Sequence, residues 1–509
     1  MVVRAKRCAA NSGAQSRREG DFMVWMRVTG RAVYSPSLVE YLLSYRVGTD
    51  WVFLKSAAWL RACKRGARPE LGAHMTKPFK TSGPVDAWTI SAELLVRWLE
   101  NKERVDALLD SLPRSLGRTE RARCQHLLFG AVRNLGRIEA IFTPLLARPP
   151  RPIVKAVLLL AGYELIEGGG DGHTARVVHH AVEQTKTIAS QPEAKMVNAI
   201  VRKIAAALAA QTEPTKSAGA LELAAFYSHP EWLVRRWLAQ FGAAATRTLL
   251  EWNQKPSPVY ARWRISGGAP AEADVALFST TPWAGFYEVK SGAWSRVEAL
   301  INEGVIFLQD PATRHAVELL APKAGETVLD ACAAPGGKSL AISDAMGSGR
   351  VVALDLAGPR IERLTQNLSR AKGDVALVQG DVLQVERLGV FGEHNLPKAY
   401  AAVLLDVPCS NTGVMRHRVD VKWRLQATDF FKHACQQAEM LSAAARLVAP
   451  GGRLVYSTCS LDSEENDSVI KAFLEKNRGR FTLESTRISQ PWIDGYDGAA
   501  AFVLRKAVG

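Results

Sequence analysis

Two cysteines, each just past an apolar run, are the residues of this 509-residue chain best suited to covalent chemistry. Asp406-Val407-Pro408-Cys409-Ser410 follows Val403-Leu404-Leu405, and Ser457-Thr458-Cys459-Ser460 closes a second strand-like run. Upstream lies Asp330-Ala331-Cys332-Ala333-Ala334-Pro335-Gly336-Gly337-Lys338-Ser339, a strand pattern running into a Gly-rich turn. A loop suited to a nucleotide-like cofactor, beside two thiols at neighbouring strand ends, suggests nucleophilic attack on an electrophilic ring. Taken singly, either cysteine is as well explained as a core thiol, since free Cys is among the most buried residue types.

The Gly-rich turn is neither of its commoner lookalikes. The phosphate loop G-x-x-x-x-G-K-[ST] needs glycine where Cys332 stands, and the dinucleotide pattern G-x-G-x-x-G is absent. Gly336 and Gly337 allow unusual backbone angles, so that N–H groups can approach a ligand closely. Asp355 ends the next apolar run, where a carboxylate reaches a ribose diol, and Asp381, one strand further, could accept from an adenine amino group. The plainer alternative is that strand-terminal Asp residues cap the helices that follow them.

What must position these groups is a βα repeat. Asp330, Asp355, Asp381 and Asp406 end successive apolar runs at spacings of 25, 26 and 25 residues, room for one strand, one helix and two loops. Strands apolar on both faces imply a parallel sheet covered by helices, with ligands beyond the carboxyl ends of the strands.

Ahead of this region, residues 91–210 are patterned as helices. Leu94, Leu95, Trp98 and Leu99 recur at helical spacing, Ile153 to Ile166 is an apolar helix closed by three glycines, and His179–Ala189 and Ala194–Ala209 complete the module. A middle segment passes from the helix of Trp232, Trp237 and Phe241 to short alternating runs such as Val259-Tyr260-Ala261-Arg262-Trp263-Arg264, which fits a small α+β domain. Arg262, Trp263 and Arg264 are either RNA-stacking residues or half-buried strand residues.

Net charge is +15, but residues 1–75 hold 13 Lys/Arg against 5 Asp/Glu, leaving 52 against 45 elsewhere, so basicity alone is weak support for a nucleic-acid partner. The segment 1–83 is expected to be a disordered extension or an upstream start before Met75, although its Arg-rich, acid-poor character also resembles a transit peptide. Seven cysteines without a C-x-x-C pair argue against a disulfide framework and a zinc ribbon. With no long apolar run and no signal-peptide pattern, a cytoplasmic protein is expected.

Two resemblances extend this reading. Thr119-Glu120-Arg121-Ala122-Arg123, Phe129-Gly130-Ala131-Val132-Arg133, His180-Ala181-Val182-Glu183 and Val197-Asn198-Ala199-Ile200-Val201-Arg202 resemble signature stretches of NusB-type RNA-binding domains, which would put Asn198 and Arg202 near an RNA-facing surface. From about residue 305 onward, Asp330–Ser339, Asp406–Val414, Lys422-Trp423 and Tyr456–Ser460 with Glu464-Glu465-Asn466 resemble the Sun/Fmu (RsmB) and Nol1/Nop2 group of RNA cytosine-C5 methyltransferases. Together they imply a multidomain protein: an extension (1–83), an all-α NusB-like domain (84–217), a small α+β domain (218–305) and an α/β Rossmann-like class I methyltransferase domain (306–509).

The second resemblance implies S-adenosylmethionine as methyl donor, 16S rRNA or a small-subunit assembly intermediate as partner, a monomer and no metal. It assigns Cys459 as nucleophile, Asp406 as the partner of cytosine N3, and Cys409 as the group assisting proton removal and release. Cys332, Ala333, Ala334, Pro335, Gly336, Gly337, Lys338, Asp355, Asp381 and Asp406 would hold the cofactor. The chemistry is coherent, because C5 of cytosine becomes nucleophilic only after a thiolate adds to C6. DNA cytosine methyltransferases use the Pro-Cys thiol instead, so chemistry alone leaves Cys409 and Cys459 unranked. Lys422, Trp423 and Arg416-His417-Arg418 are expected at the RNA backbone. The chain departs from the family pattern at Val419, where proline is usual, and at Ala499-Ala500, where aromatics follow Asp-Gly. The alternative function is an RNA-binding or antitermination module with a vestigial methyltransferase fold.

Overall fold

The computed structural model describes residues 86–265 and 268–508; the expectations for the 1–83 extension and for Met75 lie outside the described residues. The front module is helical throughout: α1 (Ala87–Asn101), α2 (Val105–Asp110), α3 (Arg118–Arg133), α4 (Leu135–Phe142), α5 (Pro152–Glu167), α6 (His173–Ile188) and α7 (Gln191–Ala210). Helix α5 is buried nearly all round from Val154 to Glu164 and forms the centre of the bundle. At Gly130 of α3 a Cβ would overlap the Tyr163 ring, so glycine sets how closely α3 and α5 approach. Ser190 caps α7 by accepting the Glu193 N–H. Helix α6 starts at His173 rather than at the expected His179.

Next come α8 (Ala220–Phe226) and α9 (Glu231–Gln254), the latter two helical stretches joined across a kink at Gly242, where φ is 79°. Both pack on Met415, Val421, Phe430 and Leu461, residues that surround the second half of the chain's motifs. A four-stranded antiparallel sheet follows, ordered β2-β3-β1-β4, from β1 (Tyr260–Trp263), β2 (Phe278–Thr280), β3 (Phe286–Val289) and β4 (Ile306–Leu308). Its core of Ala261, Trp263, Phe278 and Ile306 is covered by Val297 and Leu300 of α10 (Trp294–Asn302). Here the plainer reading of Arg262, Trp263 and Arg264 prevails. Trp263 packs edge-on between Phe278 and Tyr287, while Arg264 donates to both oxygens of Asp344 at 3.1 and 2.8 Å and Arg262 pairs with the same carboxylate at 3.0 Å.

The remainder is a seven-stranded sheet ordered β10-β11-β9-β8-β5-β6-β7. Strands β5 (Thr327–Asp330), β6 (Arg350–Asp355), β7 (Asp374–Gln379), β8 (Tyr400–Asp406) and β9 (Val448–Thr458) run parallel, and β11 (Ala499–Lys506) lies antiparallel between β9 and β10 (Phe481–Ser489). Helices α11 (Arg314–Leu320), α12 (Gly337–Met346), α13 (Pro359–Leu368), α14 (Val390–Glu393), α15 (Val421–Arg424), α16 (Asp429–Arg446), α17 (Asp467–Lys476) and α18 (Pro491–Asp494) complete the domain. Separate apolar clusters cover the two faces, one with Met440, Leu441 and Phe473, the other with Val317, Leu320 and Ile342. Chain order reverses between β5 and β8, so the crevice beyond Asp330 and Asp406 is the switch point where such sheets bind ligands. The chain is therefore multidomain: a helical module, a small α+β element and a Rossmann-like α/β sheet. No described helix is long and apolar enough to cross a membrane.

Candidate active site

The switch-point crevice holds a cavity of about 240 Å³. Asp330, Cys332, Ala333, Ala334, Pro335, Gly337, Lys338 and Asp406 line one side, and Phe307, Gln309, Asp310 and Thr313 the other. Gly336, with φ at 104°, turns the chain from β5 into α12; a Cβ on Gly337 would press on Phe307 and Gln309. Asp330 is 1% exposed, its Oδ2 accepts the Ser339 hydroxyl at 2.6 Å, and its Oδ1 has no partner among the described residues. Burial pushes this carboxyl up to about 7. Lys338 donates to Asp406 at 2.7 Å; burial works against the ammonium, but the carboxylate outweighs it and raises its pKa.

Asp355 and Asp381 stand apart from that lining. Asp355 ends β6 and accepts the N–H groups of Ala334 and Leu356, both at 2.8 Å, which fixes the Gly-rich turn to β6. Asp381, beyond β7, accepts the Leu383 N–H at 2.9 Å. Neither carboxylate caps the helix that follows its strand, whose N-terminal positions are Gly358 and Gly389 without side-chain caps; both instead hold turn N–H groups at strand ends facing the same edge of the sheet.

Beyond Asp406 the two motif cysteines meet. Cys409 Sγ lies 3.1 Å from Cys459 Sγ, and the Cys459 thiol is 3.4 Å from Asn411 Oδ1. Asn411 adopts φ of 61° and donates to the Cys409 carbonyl at 2.7 Å, so its amide orientation is fixed. The pair is asymmetric. The hydrogen bond from Cys409 lowers the Cys459 pKa, with Arg418 and Lys338 also favouring a thiolate against burial and Asp406. The same contact, with burial, pushes the Cys409 thiol well up.

The two loops are sewn together by buried polar groups. Glu465 accepts the Ser410 N–H through both oxygens at 3.1 and 3.0 Å, Thr412 donates to Asp462 at 2.7 Å, and Gln437 donates to the Pro408 carbonyl at 3.0 Å. The Gly413 N–H donates to Cys459 O and Gly498 N–H to Gly413 O, both at 2.9 Å; a Cβ on Gly413 would run into both neighbouring backbones. Asn411, Glu465, Asp462 and Asp497 were not singled out as site residues from the sequence; Asn411 and Glu465 lie in stretches quoted for the family resemblance and Asp497 begins the Asp-Gly pair before Ala499, whereas Asp462 carries no such mark.

Expected RNA contacts were placed elsewhere. Lys422 is 1% exposed and donates to the Arg133 carbonyl, and Trp423 donates to the Val132 carbonyl, so both belong to an internal seam. Arg416 lies over the Trp252 ring and donates to Pro256 O, and His417 faces Asp310 and Asp497. Asn198 accepts from Arg202 at 3.2 Å on the exposed side of α7.

A cofactor with a cationic centre suits this crevice: three carboxylates, Asp310, Asp330 and Asp406, line it, and the orphaned Asp330 Oδ1 is an acceptor awaiting a donor.

Comparison with known proteins bears on most of the chain. Residues 317–500 match the family model described as 16S rRNA methyltransferase RsmB/F, and residues 86–206 match the NusB family model. The ribosomal RNA small subunit methyltransferase B of Sodalis glossinidius is 31% identical over 420 residues, covering 79% of this chain and 92% of that protein. The probable enzyme of the same name from Bacillus subtilis is 30% identical over 411 residues, covering 76% and 88%. The crystal structure of PH0851 shares the fold, with a TM-score of 0.64 at 22% identity over 84% of this chain and 100% of that one.

Proposed function

The chain belongs to the ribosomal RNA small subunit methyltransferase B family, a family of 16S rRNA methyltransferases, and from that premise we propose that it methylates C5 of a cytosine in 16S rRNA, with S-adenosylmethionine as donor, through a covalent bond from Cys459 to C6. The observation that carries this reading is the meeting of two thiols, 3.1 Å apart, beyond neighbouring strand ends beside Asp406. Of two cysteines that sequence chemistry left unranked, Cys459 is the one whose thiolate is favoured.

S-adenosylmethionine, when bound, supplies an electrophilic methyl group for the C5 carbon that the thiol adduct makes nucleophilic. The residues lining the crevice would hold it, the turn from Cys332 to Lys338 along its length and Asp330 and Asp406 near its cationic groups, with Asp355 and Asp381, outside that lining at the next two strand ends, toward the ribose and adenine. As the thiolate adds, a proton held between Asp406 and N3 would pass to the ring nitrogen and neutralise the charge developing there, with Lys338 beside the carboxylate. After methylation the C5 proton must leave before Cys459 can be expelled. Cys409 is the neighbouring thiol; once it has given its own proton to solvent, its raised pKa makes the thiolate a strong base for the C5 proton.

The test is a 16S rRNA fragment containing 5-fluorocytosine, offered to the full chain with donor. Fluorine cannot leave as a proton does, so an adduct on Cys459 should accumulate and be located by peptide mass spectrometry. Adduct formation that survives Cys459→Ala would refute the assignment.

A further inference from the structure

Asp310, His417 and Asp497 come from three separate segments and meet beside the site. His417 Nε2 lies 3.2 Å from Asp497 Oδ2 and 3.6 Å from Asp310 Oδ2. Each anchor is tied to the machinery already described. Asp310 lines the cavity and caps the turn after β4 through the Ala312 N–H at 2.8 Å. Asp497 immediately precedes Gly498, whose N–H holds Gly413 in place, and His417 follows Gly413 in the loop that begins at Cys409. Asp497 is 3% exposed, and its Oδ1 has no partner among the described residues. The other cation close by, Arg416, is engaged by the Pro256 carbonyl and the Trp252 ring. One positive charge on His417 is therefore what balances two carboxylates held in a poorly solvated place.

We propose that His417 is a positioning residue: as an imidazolium it ties the Cys409–Asp420 loop to Asp310 on the cavity wall and to Asp497 beside the Gly413–Gly498 contact, so that the site is assembled only while this cluster holds its proton. The inference rests on the functional reading above for what the site does, but not for how it is held.

The electrostatics agree in direction. Burial works against the charged imidazole, but Asp497 and Asp310 outweigh it and raise the His417 pKa above its ordinary 6.5. Burial, then Asp310, also raises that of Asp497. Through His417 the cluster retains a proton to higher pH than free histidine does. The charged and titratable groups facing it are Asp310, Asp497, Arg416 and Cys459, with Tyr260 and Glu288 facing Arg416. Because the folded state binds the proton more tightly than the unfolded chain, the tie stabilises fully below pH 6.5 and is lost as pH rises through the raised value.

The experiment compares the full-length protein with His417→Arg, His417→Gln and Asp497→Asn, measuring unfolding midpoint and single-turnover methyl transfer to a 16S rRNA fragment from acid to mildly alkaline pH. The guanidinium brought in by His417→Arg keeps its charge across that range. The ratio of wild type to His417→Arg, which cancels the thiol titration common to both, should therefore fall several-fold as pH rises, and the wild-type midpoint should fall relative to the variant over the same window. His417→Gln should be slow at every pH, and Asp497→Asn should move the wild-type loss to lower pH. A ratio and midpoint difference that do not change with pH, or a His417→Gln variant as fast as wild type, would overturn the proposal. So would stabilisation by equimolar Zn²⁺ that requires His417, since the three groups would then be metal ligands. If no variant methylates RNA, the midpoints still decide the tie, whereas adduct trapping decides the function.

Discussion

Lys422 donates to the main-chain carbonyl of Arg133 across 3.0 Å, joining the loop after the Asp406–Ser410 motif to the last turn of helix α3 in the front module. The final carbonyls of a helix have no partner within it, and here Lys422 and Trp423 supply two from another domain. Arg133 returns the contact by donating to Arg416 O at 3.1 Å. The NusB-like module is thus fastened to the loop that carries Cys409 and Asn411.

Lys422→Ala should therefore lower stability by about 1–3 kcal/mol, because a buried carbonyl loses its donor. The salt dependence of rRNA binding should stay as in wild type. A side chain neutralising a phosphate would reduce the slope by about one instead. Chemical unfolding and binding titrations at several salt concentrations distinguish the two.

Removing Arg264 should cost more than removing a surface arginine. Its side chain is 1% exposed and pairs with an Asp344 side chain at 8%, so Arg264→Ala leaves a carboxylate buried with Arg262 as its remaining partner. Loss of one partner of a buried pair costs about 3–5 kcal/mol, and retention of Arg262 puts the expectation at the lower end. Thermal unfolding measures it.

Lys338→Met should shift the alkaline-activated limb of the pH–rate profile to higher pH. The Lys338 ammonium favours the Cys459 thiolate, so without it a higher pH is needed to ionise the proposed nucleophile. An unchanged limb in single-turnover kinetics would remove Lys338 from that role.

Glu465 offers a stability test free of catalysis. Its side chain is 0% exposed and burial pushes its pKa to about 7 from 4.5. Between those values the unfolded chain is ionised and the folded one protonated, so wild-type stability falls as pH rises from 4.5 to 7 and then levels off. Glu465→Gln lacks this loss and should gain on wild type by up to about 3 kcal/mol across that interval. Equal pH dependence of the two unfolding curves would contradict it.

By itself the sequence determined the elements and the chemistry each motif could carry. The regular carboxylate spacing located four parallel strand ends because a βα unit has a nearly fixed length, and the helical front module was legible because apolar residues recur at the helical period. Local pattern also bounded the Gly-rich turn and named both thiols. Tertiary structure decided which groups face one another. Nothing in the run Arg416-His417-Arg418 distinguishes a side chain aimed at solvent from one aimed at Asp497, eighty residues away. Likewise Lys422 reads as a surface cation until α3 is seen to end against it, and Arg264 as an RNA contact until Asp344 appears behind it. Charged residues take their role from what the fold brings within a few ångströms, because an ion's energy depends on its surroundings far more steeply than a helix or strand depends on its neighbours in sequence. The same holds for Cys409 and Cys459: chemistry alone left them unranked, the family resemblance favoured Cys459, and the fold shows that the two thiols meet in different surroundings.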